Sequence, residues 1–384
     1  MIGNWNYPTP IRFGAGRIAE LPDACRELGM KRPLLVTDPG LAALPIVSEA
    51  LQINDAADLP TALFSAVTAN PTGADVTAGL SVFRSEGCDG VIAFGGGSAL
   101  DVGKAVGLMA HQTRPLWDFE DIGDYWTRVD TDAMAPVVAV PTTSGTGSEV
   151  GRCSVIVDTE THTKKIIFHP GMLPGRVVAD PGLTVGLPAH ITAAVGMDAL
   201  SHNLEALCAP GFHPMAAGIA VEGIRLIANS LRRAVADGTD IDARSEMMVA
   251  STMGATAFQR GLGAMHALSH PVGAVIGAHH GLTNAVVMPY VLVFNRPAIQ
   301  EGMTDLARAM NLPNPSFDSV LSWVLSLRED LGIPNDLGAL GVREDQIDRL
   351  APMAAADPTA ATNPIPLNPV NLGQLYRQAT RGSL

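Results

Sequence analysis

The segment DGVIAFGGGSALDVGKAVGLMA (89–110) changes its periodicity midway. The apolar run at 90–94 is strand-length, and the three glycines at 95–97 make a turn. From Ser98 onward Ala, Leu, Val and Met recur at helical spacing. A strand that passes through a glycine turn into a helix is the repeating piece of a parallel sheet with crossover helices. The same alternation continues on both sides. Upstream lie the strand-like PLLVT (33–37) and the helical DVTAGLSVFRSEG (75–87), and downstream come strand-like runs at 136–140, 153–157, 166–168 and 176–179. Beyond the turn DPGLTVGLP (180–188) strand-like runs almost vanish, and apolar residues keep helical spacing through 216–236, 243–258, 297–310 and 317–331. The chain is therefore expected to join an α/β N-terminal domain (1–184) to an all-α C-terminal domain (185–384). The proline-rich PMAAADPTAATNPIPLNP (352–369) reads as a loop before a last helix, with no chemistry of its own.

At 384 residues, 47% hydrophobic and 16% charged, the chain has the material for two large cores. Its net charge of −13 opposes the counterion release that drives nucleic-acid binding, which excludes nucleic acid as the main partner. The four cysteines, Cys25, Cys88, Cys153 and Cys208, include no C-x-x-C pair, and a reducing cytoplasm fits them best. No secretory signal is visible at the N-terminus. The longest candidate membrane span, 261–278, lacks Asp, Glu, Lys and Arg but carries His266, His270 and Pro271, which suits a buried site better than lipid. A soluble, cytoplasmic protein without membrane partners is expected. NWNYPTPIRFG (4–14) reads as an edge hairpin or a pairing strand.

Gly95, Gly96, Gly97 and Ser98 stand where a strand hands over to a helix, so backbone N–H groups and the positive end of the helix dipole face outward there. That turn suits a pyrophosphate, or it is a tight turn with no ligand, since the spacing is not G-x-G-x-x-G. Asp38, after LLVT, either caps the turn before Pro39-Gly40 or receives the hydroxyls of an adenosine ribose and repels a 2′-phosphate. PTTSGTGSE (141–149) offers hydroxyl and amide donors for a nicotinamide or ribose, or is ordinary loop material.

Asp198 and His202 lie four apart in GMDALSHNLEA, and His266 and His270 repeat that spacing in GLGAMHALSHPVGA, so each pair projects from one helical face. His280 follows just ahead of Gly281. Six of the ten histidines fall between 202 and 280, a density that favours a shared cation over isolated core histidines. One carboxylate with several imidazoles suits Fe²⁺ or Zn²⁺ better than Mg²⁺ or Ca²⁺. His213 and His279 read as structural.

Taken together, GGGSALDVGKA (95–105), PTTSGTGSEV (141–150), GMDALSHNLEA (196–206) and GLGAMHALSHPVGA with HHGLTNAVVMP (261–289) resemble the iron-containing, or group III, alcohol dehydrogenase family. The resemblance runs from about Phe13 to the last helix. It implies the dehydroquinate synthase-like two-domain architecture, with a dinucleotide-binding α/β domain (1–184) and a helical metal-binding and catalytic domain (185–384), a homodimer, and a cleft holding NAD, metal and substrate. By position, the implied metal ligands are Asp198, His202, His266 and His280, with Fe²⁺ as the metal and Zn²⁺ as the alternative. Gly96, Gly97, Ser98 and Asp101 fall at the pyrophosphate, and Asp38 and Asn70 at the adenosine end. Thr142, Thr143, Thr146 and Ser148 fall on the nicotinamide side, and Lys164 and Leu183 complete the contacts. The last ligand is commonly preceded by proline in the family, whereas here Ala278-His279-His280 presents adjacent histidines.

The implied activity is hydride transfer between NAD(H) and a primary alcohol or its aldehyde. His270 is the candidate catalytic residue, either relaying a proton or orienting a metal ligand. WDFEDIGDYWTR (117–128) and Gln259-Arg260 are candidates for the substrate side, the latter pair receiving a polar or anionic tail unless Arg260 is simply a solvated or helix-capping charge. The alternatives are a non-redox lyase on the same scaffold and a nucleotide- and metal-binding protein that turns nothing over.

Overall fold

A computed structural model describes residues 6–161 and 163–384. They form two compact units, one of Tyr7–Thr143 with Gly147–Val185, the other of Ser144–Thr146 with Gly186–Leu384 and Asn6.

The first unit contains strands β1 (Ile11–Phe13), β2 (Pro33–Val36), β3 (Ala62–Phe64), β4 (Gly90–Gly95), β5 (Val137–Pro141), β6 (Cys153–Asp158), β7 (Thr163–Phe168) and β8 (Arg176–Ala179). Its helices are α1 (Leu21–Glu27), α2 (Pro39–Ala42), α3 (Pro45–Ala56), α4 (Gly73–Ser85) and α5 (Gly97–Met109). Six strands make one parallel sheet in the order β1-β8-β5-β4-β2-β3. Strands β2, β4 and β5 are buried along their whole length, which is why they read as unbroken apolar runs rather than as alternating ones. Leu35, Ile92, Phe94, Val138, Val140 and Val178 pack from the sheet against Leu21, Ala24, Val47 and Ala50 of α1 and α3.

Strand-like runs were expected at 153–157 and 166–168, and both form. They pair with each other as an antiparallel ribbon β6–β7 separate from the main sheet, because only a short connection after Asp158 joins them and folds one back on the other. In the N-terminal segment, Ile11–Phe13 pairs with β8 at the edge of the sheet, while Asn4 and Trp5 lie outside the described residues.

The second unit is helical, with α6 (Ala189–Cys208), α7 (Pro214–Ala236), α8 (Ile241–Ala257), α9 (Ala264–Ile276), α10 (His280–Ala309), α11 (Phe317–Asp330), α12 (Ile347–Ala356) and α13 (Pro369–Arg381). The fold is thus an N-terminal parallel α/β domain with a helical C-terminal domain. Helix α10 runs through Pro289 and Pro297, so the helix expected from 297 begins seventeen residues earlier. Burial of 283–292 in the helical core outweighs the lost N–H donors. The stretch 352–369 is also less irregular than its prolines suggest, since its start belongs to α12 and Pro358–Thr362 forms a 3-10 turn. Among the described residues no helix is long and apolar enough to cross a membrane.

Candidate metal centre and cofactor turn

In the first unit, parallel register puts the ends of neighbouring strands level. Val36 lies beside Ala93, and Gly95 beside Pro141. Asp38, Gly95–Ser98, Thr142 and Thr143 therefore project from one carboxyl edge of the sheet, with Asn70 on the loop after β3. The chain reverses its order across the sheet between β2 and β4, and crevices at such edges are where open α/β sheets hold ligands.

Gly95 sits at φ +146°, and a Cβ there would stand 2.8 Å from the Ala99 Cβ, so no other residue fits. Gly96 is the N-cap of α5 and no side chain caps that end among the described residues, an arrangement whose backbone N–H groups suit an anion. Ser98 Oγ donates to the Ala69 carbonyl at 2.7 Å and ties the Asn70 loop to this turn. Asp38 Oδ1 accepts from Leu41 N at 2.9 Å, so the carboxylate caps α2 with one oxygen.

Other residues expected at the cofactor turn inward. Asp101 accepts from Ser148 Oγ at 2.5 Å and from Val155 N at 2.8 Å. Lys104, 1% exposed, lies 3.3 Å from Asp101 and donates to the carbonyls of Ser148 and Cys153. The three polar groups lock the turn at 148–150 against β6. Lys164 lies half-buried on β7 opposite Val157, and Leu183 packs against the sheet's core. Thr146 belongs to the helical unit.

In that unit, α6 presents Asp198, His202 and Glu205 on one face. The donor atoms of Asp198, His202 and His266 lie within 4.8 Å of one another, and the three residues are 2%, 5% and 2% exposed. Each imidazole has its proton position set by a partner. The Gly145 carbonyl accepts only, so His202 donates Nδ1–H to it at 3.2 Å and turns unprotonated Nε2 to the cluster. Gly145 reaches this place because it has no Cβ, which would stand 2.7 Å from the Val195 Cβ. His266 donates Nδ1–H to Glu205 Oε2 at 2.5 Å, and Glu205 Oε1 accepts from Met265 N at 2.6 Å. Burial pushes the His202 imidazole down to about 4. Burial also pulls His266 down, but the charge and hydrogen bond of Glu205 outweigh it and hold this imidazole above its usual value.

His280, the first residue of α10, is placed beside this trio, with Nε2 3.6 Å from Asp198 Oδ1 and Nδ1 3.2 Å from Ser269 Oγ. Gly281 makes that approach possible. A Cβ there would collide with the Ala194 carbonyl of α6 and stand 3.0 Å from the Asp198 Cβ. Gly281→Ala is therefore expected to part α10 from α6, costing about 1–3 kcal/mol of stability and weakening retention of a divalent cation. Thermal unfolding and metal analysis of the dialysed variant check both, and a variant with wild-type metal content would show that the close approach is not needed.

His270, one turn after His266, stacks on His280 with ring centroids 5.2 Å apart and donates Nδ1–H to Asp357 Oδ2 at 2.8 Å. Asp357 Oδ1 accepts from Thr359 N and Oγ1. Burial raises the Asp357 carboxyl, but His270 and Thr359 outweigh it and keep it below the usual carboxylate range. The segment expected to carry no chemistry thus supplies this carboxylate.

Arg260 donates to the carbonyls of Leu207 and Gly211, at 3.1 and 2.8 Å, and Gln259 bonds Asn6 and Thr256. These bonds are those of the helix-capping alternative, with the guanidinium on carbonyls at the end of α6. His213 and His279 accept from Ala216 N and Leu282 N as N-caps of α7 and α10.

The donor set fits a divalent cation. One carboxylate and imidazole nitrogens, each fixed in its ligating tautomer, are what Fe²⁺ or Zn²⁺ prefers.

Comparison with known proteins agrees with this chemistry. Residues 8–181 match the family described as iron-containing alcohol dehydrogenase, and residues 192–380 its C-terminal domain family. The chain is 42% identical over 368 residues to a 4-hydroxybutyrate dehydrogenase of Cupriavidus necator, covering 93% of this chain and 94% of that one. It is 34% identical to an NAD-dependent methanol dehydrogenase of Bacillus methanolicus, covering 98% and 99%. A crystal structure of 1,3-propanediol oxidoreductase superposes with a TM-score of 0.94 at 37% identity, over 99% of this chain and all of that one.

Proposed function

The chain belongs to the iron-containing alcohol dehydrogenase family and is a metal-dependent, NAD-linked alcohol dehydrogenase; from that premise we propose that it interconverts short primary alcohols and their aldehydes. The observation that carries this reading is the convergence of Asp198, His202 and His266. We assign the fourth metal ligand to His280 and the metal to Fe²⁺, with Zn²⁺ as the substitute. When bound, the cation supplies a Lewis acid for the oxygen of the alcohol or aldehyde. NAD supplies the hydride acceptor. The lyase and the silent binding protein raised by the sequence are set aside.

The chain's own residues do the positioning. Gly95–Ser98, at the amino end of α5, hold the pyrophosphate, and Asn70 and Asp38 hold the adenosine end. Asp38 keeps one oxygen outside its capping bond and selects NAD over NADP by repelling a 2′-phosphate. Thr142, Thr143, Thr146 and Ser148 serve the nicotinamide side with Lys164 and Leu183, and Asp101 acts by fixing Ser148. Glu205 and Gly145 hold His266 and His202 in the tautomers that ligate.

Asp357 sets the Nδ1–H tautomer of His270, which leaves Nε2 to accept the proton released by the alcohol oxygen and to return it in the reverse direction. His270→Ala is expected to lower kcat by about 10²–10³-fold, and Asp357→Asn by a smaller factor, with metal content unchanged in both. Loss of metal along with activity would assign His270 to holding the centre together. The enzyme is proposed to work in the cytoplasm as a homodimer, a state that light scattering on the purified protein checks.

The test of function follows NADH absorbance after anaerobic loading with Fe²⁺ or Zn²⁺, using methanol, 1,3-propanediol, 4-hydroxybutyrate and longer primary alcohols. Turnover that a chelator abolishes and added cation restores is expected. Absence of turnover across the panel, with metal and NAD bound, would overturn the reading.

A further inference from the structure

Asn284 lies one helical turn after His280 on α10 and is wholly buried. Its amide nitrogen donates to Asp198 Oδ1 at 2.8 Å, and stands 3.4 Å from His266 Nε2 and 3.2 Å from His280 Nε2. Its carbonyl oxygen, equally buried, has no hydrogen-bond partner among the described residues. A buried amide with its oxygen unsatisfied is a cost to folding. Packing does not account for it, since an aliphatic residue would fill the same space.

We propose that Asn284 is a positioning residue of the metal centre, whose amide N–H fixes the Asp198 carboxylate in the orientation that meets the cation. This rests on the metal assignment above.

The residue type follows from electrostatics. A carboxylate ligand needs a donor to hold its rotamer, and Lys or Arg would do so only by placing a positive charge beside the cation, where repulsion in a buried site is strong. A neutral amide orients the anion without that penalty. The position follows from geometry, because a residue four after His280 faces the same side of α10 and reaches α6 at Asp198.

The test measures Zn²⁺ affinity by chelator competition, and the visible bands of the Co²⁺-loaded full-length protein, for wild type, Asn284→Ala and Asn284→Asp. The aspartate keeps the shape but loses the donor. Both variants are expected to bind Zn²⁺ about 10–100-fold more weakly and to shift the Co²⁺ bands, and Asn284→Asp, with two buried carboxylates side by side, is expected to unfold at lower temperature in chelator than Asn284→Ala. If the aspartate variant does not fold, the alanine variant carries the same expectation. Unchanged affinity and an unchanged Co²⁺ spectrum would overturn the proposal, and so would tighter binding by Asn284→Asp, which would make position 284 a direct ligand. If wild type itself bound no Zn²⁺ or Co²⁺, the metal assignment would fall and this inference with it; if only the variants matched wild type, this inference alone would fall.

Discussion

Asp198→Ala is expected to lose bound metal on dialysis and to turn over alcohols at least about 10³-fold more slowly, a loss of about 4 kcal/mol of transition-state stabilisation. Asp198 is the only carboxylate of the trio, and it is 2% exposed. Its removal leaves neutral imidazoles to face a doubly charged ion that water already solvates well. It also strands the Asn284 amide, which now donates to it. Metal analysis, NADH-coupled rates and circular dichroism on one preparation read the three consequences. A folded, metal-free, inactive protein is the expected result, and a metal-free variant that kept wild-type turnover would sink the metal-dependent mechanism.

The second large effect is expected at Glu205, which never meets substrate. Glu205→Gln keeps the shape, and its amide oxygen still accepts from Met265 N. The amide nitrogen then faces His266 Nδ1, and a donor there forces the imidazole proton onto Nε2, the atom turned toward Asp198 and His202. The ligand is blocked by its own proton, and metal affinity is expected to fall about 10–100-fold with little change in stability. Glu205→Ala leaves the Met265 and His266 donors buried without an acceptor, and it should cost about 3–5 kcal/mol of stability besides. Chelator competition for Zn²⁺ and thermal unfolding separate the two variants. Wild-type affinity in Glu205→Gln would show that the carboxylate does not set the tautomer.

What the sequence made legible was local. The glycine turn at 95–97 stands between a strand and a helix adjacent in the chain, and the pairs Asp198/His202 and His266/His270 are one helical turn apart, so spacing alone put each pair on a face. What it hid depends on which faces meet. Glu205 continues the Asp198/His202 face by one more turn, and Asn284 does the same for His280. A polar side chain on an otherwise apolar helical face was the available signal for both. Asp357 gave no such signal, being 87 residues from His270 in a stretch whose prolines suggest irregular loop. Gly145 and Gly281 are informative only once the neighbouring backbone is in place. Alternation of strand-like and helical runs identified β6 and β7 as strands, but not that they leave the main sheet, since pairing partners are set by the turn between them.

Helix α10 brings its first residue to the centre from 82 positions beyond Asp198, and α9 brings His266 from 68. No short stretch of chain presents more than two of the donors, so each nascent helix holds at most half a binding site. Closing loops of that length costs entropy before any ion is gained. An ion that recognises only the packed arrangement stabilises the native state by mass action and leaves the rate of folding almost untouched. Its effect falls on the reverse step, so the cation serves as a brake on unfolding.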